Sequence, residues 1–227
     1  MNNTTVVTYR YRRPASGLTG VAHLFGILSI ILLLVWLLHY RGSIEYDSEN
    51  PARVFNAHPF LMFVGFIFLS GEAMMAFKTV PAERNVRKFM HMILHVIAII
   101  LGIVGICAVF KYHDMQNIED MYSLHSWIGM GTFCLYCLQW LVGFLVFMAG
   151  GSSDTKDRMV GWHMAGGRAL LFMSICAALT GLMEKAHFLG LRTQNEARLV
   201  NFTGLSILLF GVFVDLSVVL GRYIYLK

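Results

Sequence analysis

The sequence predicts an all-α membrane protein whose six transmembrane helices form an up-and-down bundle. Of the 227 residues, 57% are hydrophobic and 14% charged, and the mean hydropathy is +0.63. A soluble domain carries about 25% charged residues, so this composition indicates a membrane protein. Apolar runs of about 20 residues, each long enough to cross a hydrocarbon core near 30 Å thick, recur six times. No alternating pattern typical of strands competes with them.

The six apolar runs are separated by segments that carry the charges and the helix breakers. The predicted spans are residues 18–40, 54–77, 89–110, 123–148, 162–182 and 199–221. The connecting segments are RGSIEYDSENPAR, KTVPAERNVRK, KYHDMQNIED, GGSSDTKDR and EKAHFLGLRTQNEAR. Short connections place consecutive helices antiparallel. We therefore expect one transmembrane domain, residues 18–221, between an N-terminal segment, residues 1–17, and a tail, residues 222–227.

The first apolar run is predicted to remain as helix 1, because it is too long for a signal-peptide core and lacks a small-residue cleavage site. Basic residues then predict the orientation. With the N-terminus in the cytosol, the inner segments hold Arg10, Arg12, Arg13, Lys78, Arg84, Arg87, Lys88, Lys156, Arg158, Arg222 and Lys227. The outer segments hold Arg41, Arg53, Lys111, Lys185, Arg192 and Arg198. The inner excess places both termini in the cytosol.

Charge and cysteine usage exclude two classes of function. The net charge of +5 is explained by membrane orientation, so we expect no nucleic-acid partner. Cys134 and Cys137 form a CxxC inside an apolar run with no histidine after it. A covalently attached c-type haem needs CxxCH, and small core residues are the simpler interpretation of these cysteines.

Four histidines lie just inside the predicted membrane boundaries, one on each of helices 2 to 5. When the chain is followed through the predicted helices, His58 and His125 fall in an outer layer and His91 and His163 in an inner layer. An ionisable side chain inside a membrane is costly unless it is satisfied, and it marks a functional site by default. One such histidine could be a hydrogen-bonded core residue; four, paired by depth, point to ligation.

Two imidazoles that face each other across a helical bundle are typical of the axial ligands of a b-type haem. A structural zinc site takes four protein ligands, whereas each layer offers two. The sequence therefore predicts two non-covalent, bis-histidine haems, one near each face of the membrane. His95, four residues after His91, shares its helix face and is the alternative inner ligand.

Seven motifs, in order, carry a resemblance to a known family: NAHPFLM, GEAMMAFK, RKFMH, MYSLHSW, GWH, LTGLMEK and RLVNFTG. From about residue 39 to the end of helix 6 the chain resembles cytochrome b561, a family of ascorbate-dependent transmembrane reductases. The resemblance implies a central four-helix bundle formed by helices 2–5, usually in a homodimer. It implies haem ligation by His58, His91, His125 and His163, which favours His91 over His95.

Candidate substrate residues flank both layers. Lys78 lies beside the inner layer, and the resemblance implies cytosolic ascorbate contacts at Arg84, Lys88 and Lys156; the alternative is that these are only positive-inside residues. Tyr112 lies beside the outer layer, where aromatic residues also serve as membrane anchors. The resemblance implies an outer substrate pocket containing His113, Tyr122 and Asn201. A neutral imidazole can exchange a proton as an acceptor is reduced, so His113 is the predicted catalytic residue.

The expected function is transmembrane electron transfer from cytosolic ascorbate to a non-cytosolic acceptor, monodehydroascorbate or ferric iron. The alternatives are a di-haem anchor subunit of a larger quinone-linked complex and a transporter that uses the histidines as transient ligands. The expected location is an endomembrane, vacuolar or plasma membrane. The sequence leaves two roles open for Glu72, which could hold a proton near a haem propionate or hydrogen-bond a neighbouring helix. Arg168 could neutralise a propionate or extend to the cytosolic interface. Asp215 has no predicted role.

Overall fold

The computed structural model describes residues 13–220. Residues 1–12 of the predicted N-terminal segment and the predicted tail lie outside the described residues. Within residues 13–220, six helices are long and apolar enough to cross a membrane, which confirms the predicted fold class. They are α1 (Arg13–Val35, continued by a π-helical turn at Trp36–Tyr40), α2 (Pro51–Thr79), α3 (Arg84–Gln116), α4 (Leu124–Phe147), α5 (Ser153–Phe188) and α6 (Asn195–Leu220).

Helix α2 is irregular in its middle, where a π-helical segment, Met62–Leu69, joins two α-helical parts. Pro59 precedes this segment; it lacks an N–H group and its ring crowds the previous turn. The backbone N–H of Met62 accordingly meets the carbonyl oxygens of both His58 and Pro59. Segments of π-helix occur often at functional sites. The sequence did not predict this one, because a continuously apolar run has no period that separates α from π geometry.

All five connecting segments are partly helical, because the helices extend beyond the apolar spans that the sequence predicts. Helix α3 continues to Gln116 and ends at Asn117, which adopts the left-handed conformation with φ of 51°. Helix α5 likewise continues to Phe188. Polar residues mark where a helix leaves the apolar layer, and this point need not be where the helix ends.

The six helices pack mainly as three antiparallel pairs: α1 with α6, α2 with α3, and α4 with α5. Close approach of α2 and α3 depends on Gly65, where an added Cβ would lie 2.5 Å from Leu101 Cβ. The α2–α3 pair and the α4–α5 pair contact each other only sparsely.

We call the side where α1 begins the terminus side and the opposite side the far side. Six crossings return the chain to the terminus side.

Several polar residues inside the helices pair with one another, which offsets their cost in an apolar layer. Arg168 donates to both carboxylate oxygens of Asp215, at 2.5 and 3.1 Å. Glu72 accepts a hydrogen bond from His23 at 2.8 Å. Arg168 and Asp215 therefore tie α5 to α6, and Glu72 ties α2 to α1. Two hydroxyl pairs join α1 to α6: Thr19 with Ser217, and Ser29 with Ser206.

Candidate cofactor and substrate sites

The four predicted ligands form two facing pairs, one near each side of the bundle. On the far side, His58 of α2 faces His125 of α4, with ring centroids 6.0 Å apart and planes at 87°. On the terminus side, His91 of α3 faces His163 of α5, at 6.1 Å and 69°. We call these the far-side pair and the terminus-side pair. Each pair bridges the sparse interface between α2–α3 and α4–α5.

Three of the four rings are oriented by a backbone carbonyl. The Nδ1–H groups donate to carbonyl oxygens at 2.8 to 3.0 Å: His58 to Gly105, His91 to Ala73, and His125 to Ala177. A hydrogen bond from one ring nitrogen sets the tautomer and leaves the other nitrogen free to bind a metal. Each of these imidazoles therefore offers Nε2 as a ligand.

His163 has a different neighbour at Nδ1. The Gln139 side-chain nitrogen lies 3.2 Å from this atom and donates to the backbone oxygen of His163 at 2.7 Å. An amide NH₂ group cannot accept a proton from Nδ1–H. Among residues 13–220, His163 thus lacks the carbonyl acceptor that the other three rings have, and this asymmetry is specific to the terminus-side pair.

Two glycines make room for one ring in each pair. A Cβ added at Gly181 would lie 2.7 Å from Cε1 of His125, and one added at Gly143 would lie 2.8 Å from Cε1 of His163. Real Cβ contacts are essentially never this short. The local sequence does not distinguish either glycine from the others, because only tertiary packing shows which glycine faces which ring.

His95, the alternative inner ligand, has a different partner. Its Nδ1 lies 2.5 Å from the Tyr136 hydroxyl, which also hydrogen-bonds Ser70 at 2.7 Å. Its ring contacts His91 edge-on, with centroids 4.5 Å apart. The structure therefore places His91 opposite His163 and ties His95 into a buried polar contact between α2 and α4.

An apolar cavity reaches the far-side pair, and predicted substrate residues line its polar end. Tyr112, His113 and Tyr122 line this end. The ring centroid of His113 lies 5.8 Å from that of Tyr112 and 6.2 Å from that of Tyr122. His113 Nδ1 donates to Asp120 at 2.7 Å, which leaves Nε2 as a proton acceptor. Asn201 is not part of this cavity; it is exposed and lines a separate pocket.

Two further residues of the far-side cavity were not predicted as site residues: Glu184 and Lys185. Partial burial raises the pKa of Tyr122, and the neighbouring Glu184 carboxylate raises it further. The Lys185 ammonium lies 3.6 Å from the centroid of Phe55 and 5.4 Å from that of Tyr112. The motif LTGLMEK contains both residues, but their contacts depend on how α5 packs against α2 and α3.

The predicted cytosolic cations lie at the helix ends around the terminus-side pair. Lys88 Nζ donates to the backbone oxygen of Phe147 at 2.9 Å, and the Phe147 ring contacts that of His163 with centroids 5.1 Å apart. Lys78 Nζ is buried and has no hydrogen-bond partner among residues 13–220. Arg84 is exposed at the first residue of α3, and Lys156 lies in the first turn of α5.

Comparison with known protein families identifies the fold. A model of the family described as eukaryotic cytochrome b561 matches residues 57–189, which covers more than half of the chain and all four histidines.

The chain belongs to the cytochrome b561 family.

Curated relatives extend the match over most of the sequence. The chain is 44% identical to transmembrane ascorbate ferrireductase 1 of Arabidopsis thaliana over 91% of this chain and 88% of the relative. It is 39% identical to the probable ascorbate-specific transmembrane electron transporter 1 of Oryza sativa, over 90% of each. It is 37% identical to the transmembrane ascorbate-dependent reductase CYB561 of Sus scrofa, over 89% of this chain and 83% of the relative.

Family membership implies haem b, and the histidine pairs can be tested for their fit to it. With a metal–nitrogen bond of about 2.0 Å and about 1.1 Å from nitrogen to ring centre, two axial imidazoles have centroids roughly 6.2 Å apart. The observed separations are 6.0 and 6.1 Å. In the described residues, 13–220, no group of three or more His, Cys, Asp and Glu side chains could hold a metal ion. Both pairs fit axial ligation.

Proposed function

We propose that this membrane oxidoreductase transfers electrons from cytosolic ascorbate to a non-cytosolic acceptor, monodehydroascorbate or ferric iron. The observation that carries the proposal is the presence of two ligand pairs near opposite ends of one bundle, at 6.0 and 6.1 Å. His58 and His125 would hold one haem b, and His91 and His163 a second, both without covalent attachment. Bound haem b supplies a one-electron ferric–ferrous couple.

The terminus side is proposed to face the cytosol, because the loops and helix ends on that side carry more basic residues than the far side. Both termini then lie in the cytosol. The names of the relatives support ascorbate as the donor. We propose that the protein acts as a homodimer in an endomembrane, vacuolar or plasma membrane; its mass in lipid nanodiscs and its distribution among purified membrane fractions test these two points.

On the terminus side, the chain offers cations for an anionic donor. Lys78, Arg84, Lys88 and Lys156 are the proposed ascorbate-binding residues. Charge-assisted hydrogen bonds are about twice as strong as neutral ones. Lys88 already donates to the backbone oxygen of Phe147, whose ring contacts that of His163. It would therefore bind ascorbate with its remaining N–H groups.

On the far side, the proposed acceptor site contains Tyr112, His113 and Tyr122. Asp120 fixes His113 with its proton on Nδ1, so Nε2 takes up and returns a proton as an acceptor is reduced. Asn201, which the family resemblance assigned to this pocket, lies in a separate one. We therefore place the proposed acceptor site in the cavity that reaches the far-side pair.

Two substitutions test the assignment of sides, in proteoliposomes that contain ascorbate and are challenged outside with a ferric chelate. Lys88→Ala should raise the ascorbate concentration needed for haem reduction about tenfold, as expected for a lost contact to a charged ligand. His113→Ala should spare that step and slow reoxidation. Arg158→Ala is the control, because Arg158 is exposed on the terminus side and pairs with the exposed Asp154. Equal effects of Lys88→Ala and His113→Ala on both half-reactions would contradict the assignment.

A reduced-minus-oxidised spectrum of each purified histidine variant tests the pairing. His58→Ala and His125→Ala should lose one haem b signal, and His91→Ala and His163→Ala should lose the other, because each loss leaves one axial ligand. If His58→Ala and His91→Ala lost the same signal, the pairing would be wrong. Reduction of the wild-type protein by ascorbate alone, with no second subunit, excludes an anchor-only role.

A further inference from the structure

Lys185 places a positive charge at the polar end of the far-side cavity. This cavity is also lined by His58, His125, His113 and Tyr122. The Lys185 ammonium lies over the Phe55 ring at 3.6 Å and near the Tyr112 ring at 5.4 Å. Contact with aromatic faces stabilises a cation without neutralising it. The two rings therefore hold the ammonium beside the cavity.

Within residues 13–220, the Lys185 ammonium forms no ion pair, since no Asp or Glu carboxylate oxygen lies within 4.0 Å of its nitrogen. The acidic groups nearby have other partners: Glu184 acts on Tyr122, and Asp120 binds His113. Arg41, another cation on this side, is paired with Glu196 at 2.5 Å.

Lys185 is half-buried, and a half-buried ammonium that has no carboxylate partner among residues 13–220 favours an anion. We propose that Lys185 binds the carboxylate or enolate oxygen of an anionic electron acceptor, and that it makes the far side selective for anionic acceptors. This inference rests on the proposed function, and it adds a specificity-determining residue to the acceptor site. Monodehydroascorbate and ferric complexes of polycarboxylates both have this chemistry.

The contribution of Lys185 is charge alone. The acceptor gains one electron, which ascorbate supplies from the opposite side, and His113 supplies a proton where the product needs one. Lys185 keeps its own proton and forms no covalent bond. Its substitution should therefore alter acceptor binding more than the rate at saturation.

Acceptors of opposite charge test the proposal directly. Ferric EDTA is an anion, and hexaammineruthenium(III) is a cation. The protein is first reduced with dithionite, and its reoxidation by each acceptor is followed by stopped-flow absorbance. Lys185→Met, which keeps the alkyl chain and loses the charge, should raise the ferric EDTA concentration for half-maximal rate about tenfold. The maximal rate should stay nearly unchanged, and hexaammineruthenium(III) should react as well as before or better. Lys185→Arg should recover most of the affinity for ferric EDTA.

Lys111→Met provides a matched control. Lys111 is also a far-side lysine near an aromatic ring, but it is paired with Asp47 at 3.0 Å. Its substitution should leave both acceptors unaffected. The use of dithionite separates this test from the proposed function: failure of ascorbate to reduce the wild-type protein would refute the donor, yet the dependence on acceptor charge could still be measured.

A haem propionate has the same carboxylate chemistry as the proposed acceptor. If Lys185 bound a propionate, Lys185→Met would lower haem content or shift the midpoint potential of the haem lost in His58→Ala, with unchanged affinity for ferric EDTA. That result would overturn the proposal. Equal slowing with the anionic and cationic acceptors would also overturn it, since charge selection would then be absent.

Discussion

Replacing Gly181 by alanine should selectively weaken binding of the haem proposed at the far-side pair. The new Cβ would lie 2.7 Å from Cε1 and 2.9 Å from Nδ1 of His125. The His125 ring cannot move freely, because its Nδ1–H donates to the Ala177 carbonyl oxygen. Ala177 lies one turn before Gly181 on α5. Gly143→Ala is the counterpart on the terminus side, where the Cβ would lie 2.8 Å from Cε1 of His163.

The size of the effect follows from the overlap. Carbon atoms in contact are about 3.5 Å or more apart, so the His125 ring must move by roughly 0.8 Å. A metal–ligand bond tolerates deviations of about 0.2 Å. Overpacking of this kind costs about 1–3 kcal/mol, which corresponds to a roughly 5- to 150-fold loss of affinity at that site. The other site should be unaffected.

The assay is haem per polypeptide, together with the low-spin signals in electron paramagnetic resonance. Gly181→Ala should lose the signal that His58→Ala loses, and Gly143→Ala the signal that His91→Ala loses. Gly131→Ala is the control, because an added Cβ there meets no atom within 4 Å. Full haem content and unchanged signals in Gly181→Ala would refute the reasoning, as would loss of the same signal in both variants.

Three further predictions follow from single contacts. Gln139→Glu should give the Nδ1–H of His163 a carboxylate acceptor and strengthen this proposed ligand. The midpoint potential of the haem proposed at the terminus-side pair should then fall in a spectroelectrochemical titration; an unchanged potential would contradict it. Asp215→Leu should lower the thermal unfolding temperature by leaving Arg168 unpaired, and adding Arg168→Leu should restore part of the loss; no restoration would count against the ion pair. Tyr136→Phe should destabilise the protein by about 1–3 kcal/mol through unsatisfied buried partners, with both haem spectra retained; a lost spectrum would assign Tyr136 to haem binding instead.

The sequence alone was sufficient for the fold class and for the choice of ligand candidates. Membrane helices must satisfy their own backbone hydrogen bonds, so apolar length predicts them without tertiary information. Alternating crossing direction then sorts four histidines into two layers. His91 and His95 share one helix face, and only the packing of α3 against α5 and α4 places His91 opposite His163 and His95 against Tyr136.

The tertiary structure decided everything that depends on which faces of different helices meet. The local sequence gives no sign of three features: the π segment of α2, the space that Gly143 and Gly181 leave for the histidine rings, and the Gln139 amide beside His163. Lys185 looked like a loop cation among other outer-side charges, yet packing places it over Phe55 at the cavity. Conversely, Asn201 matched a motif but lines another pocket. Hydropathy is a property of each segment by itself, whereas contacts between helices depend on their relative rotation, which the chain fixes only on folding.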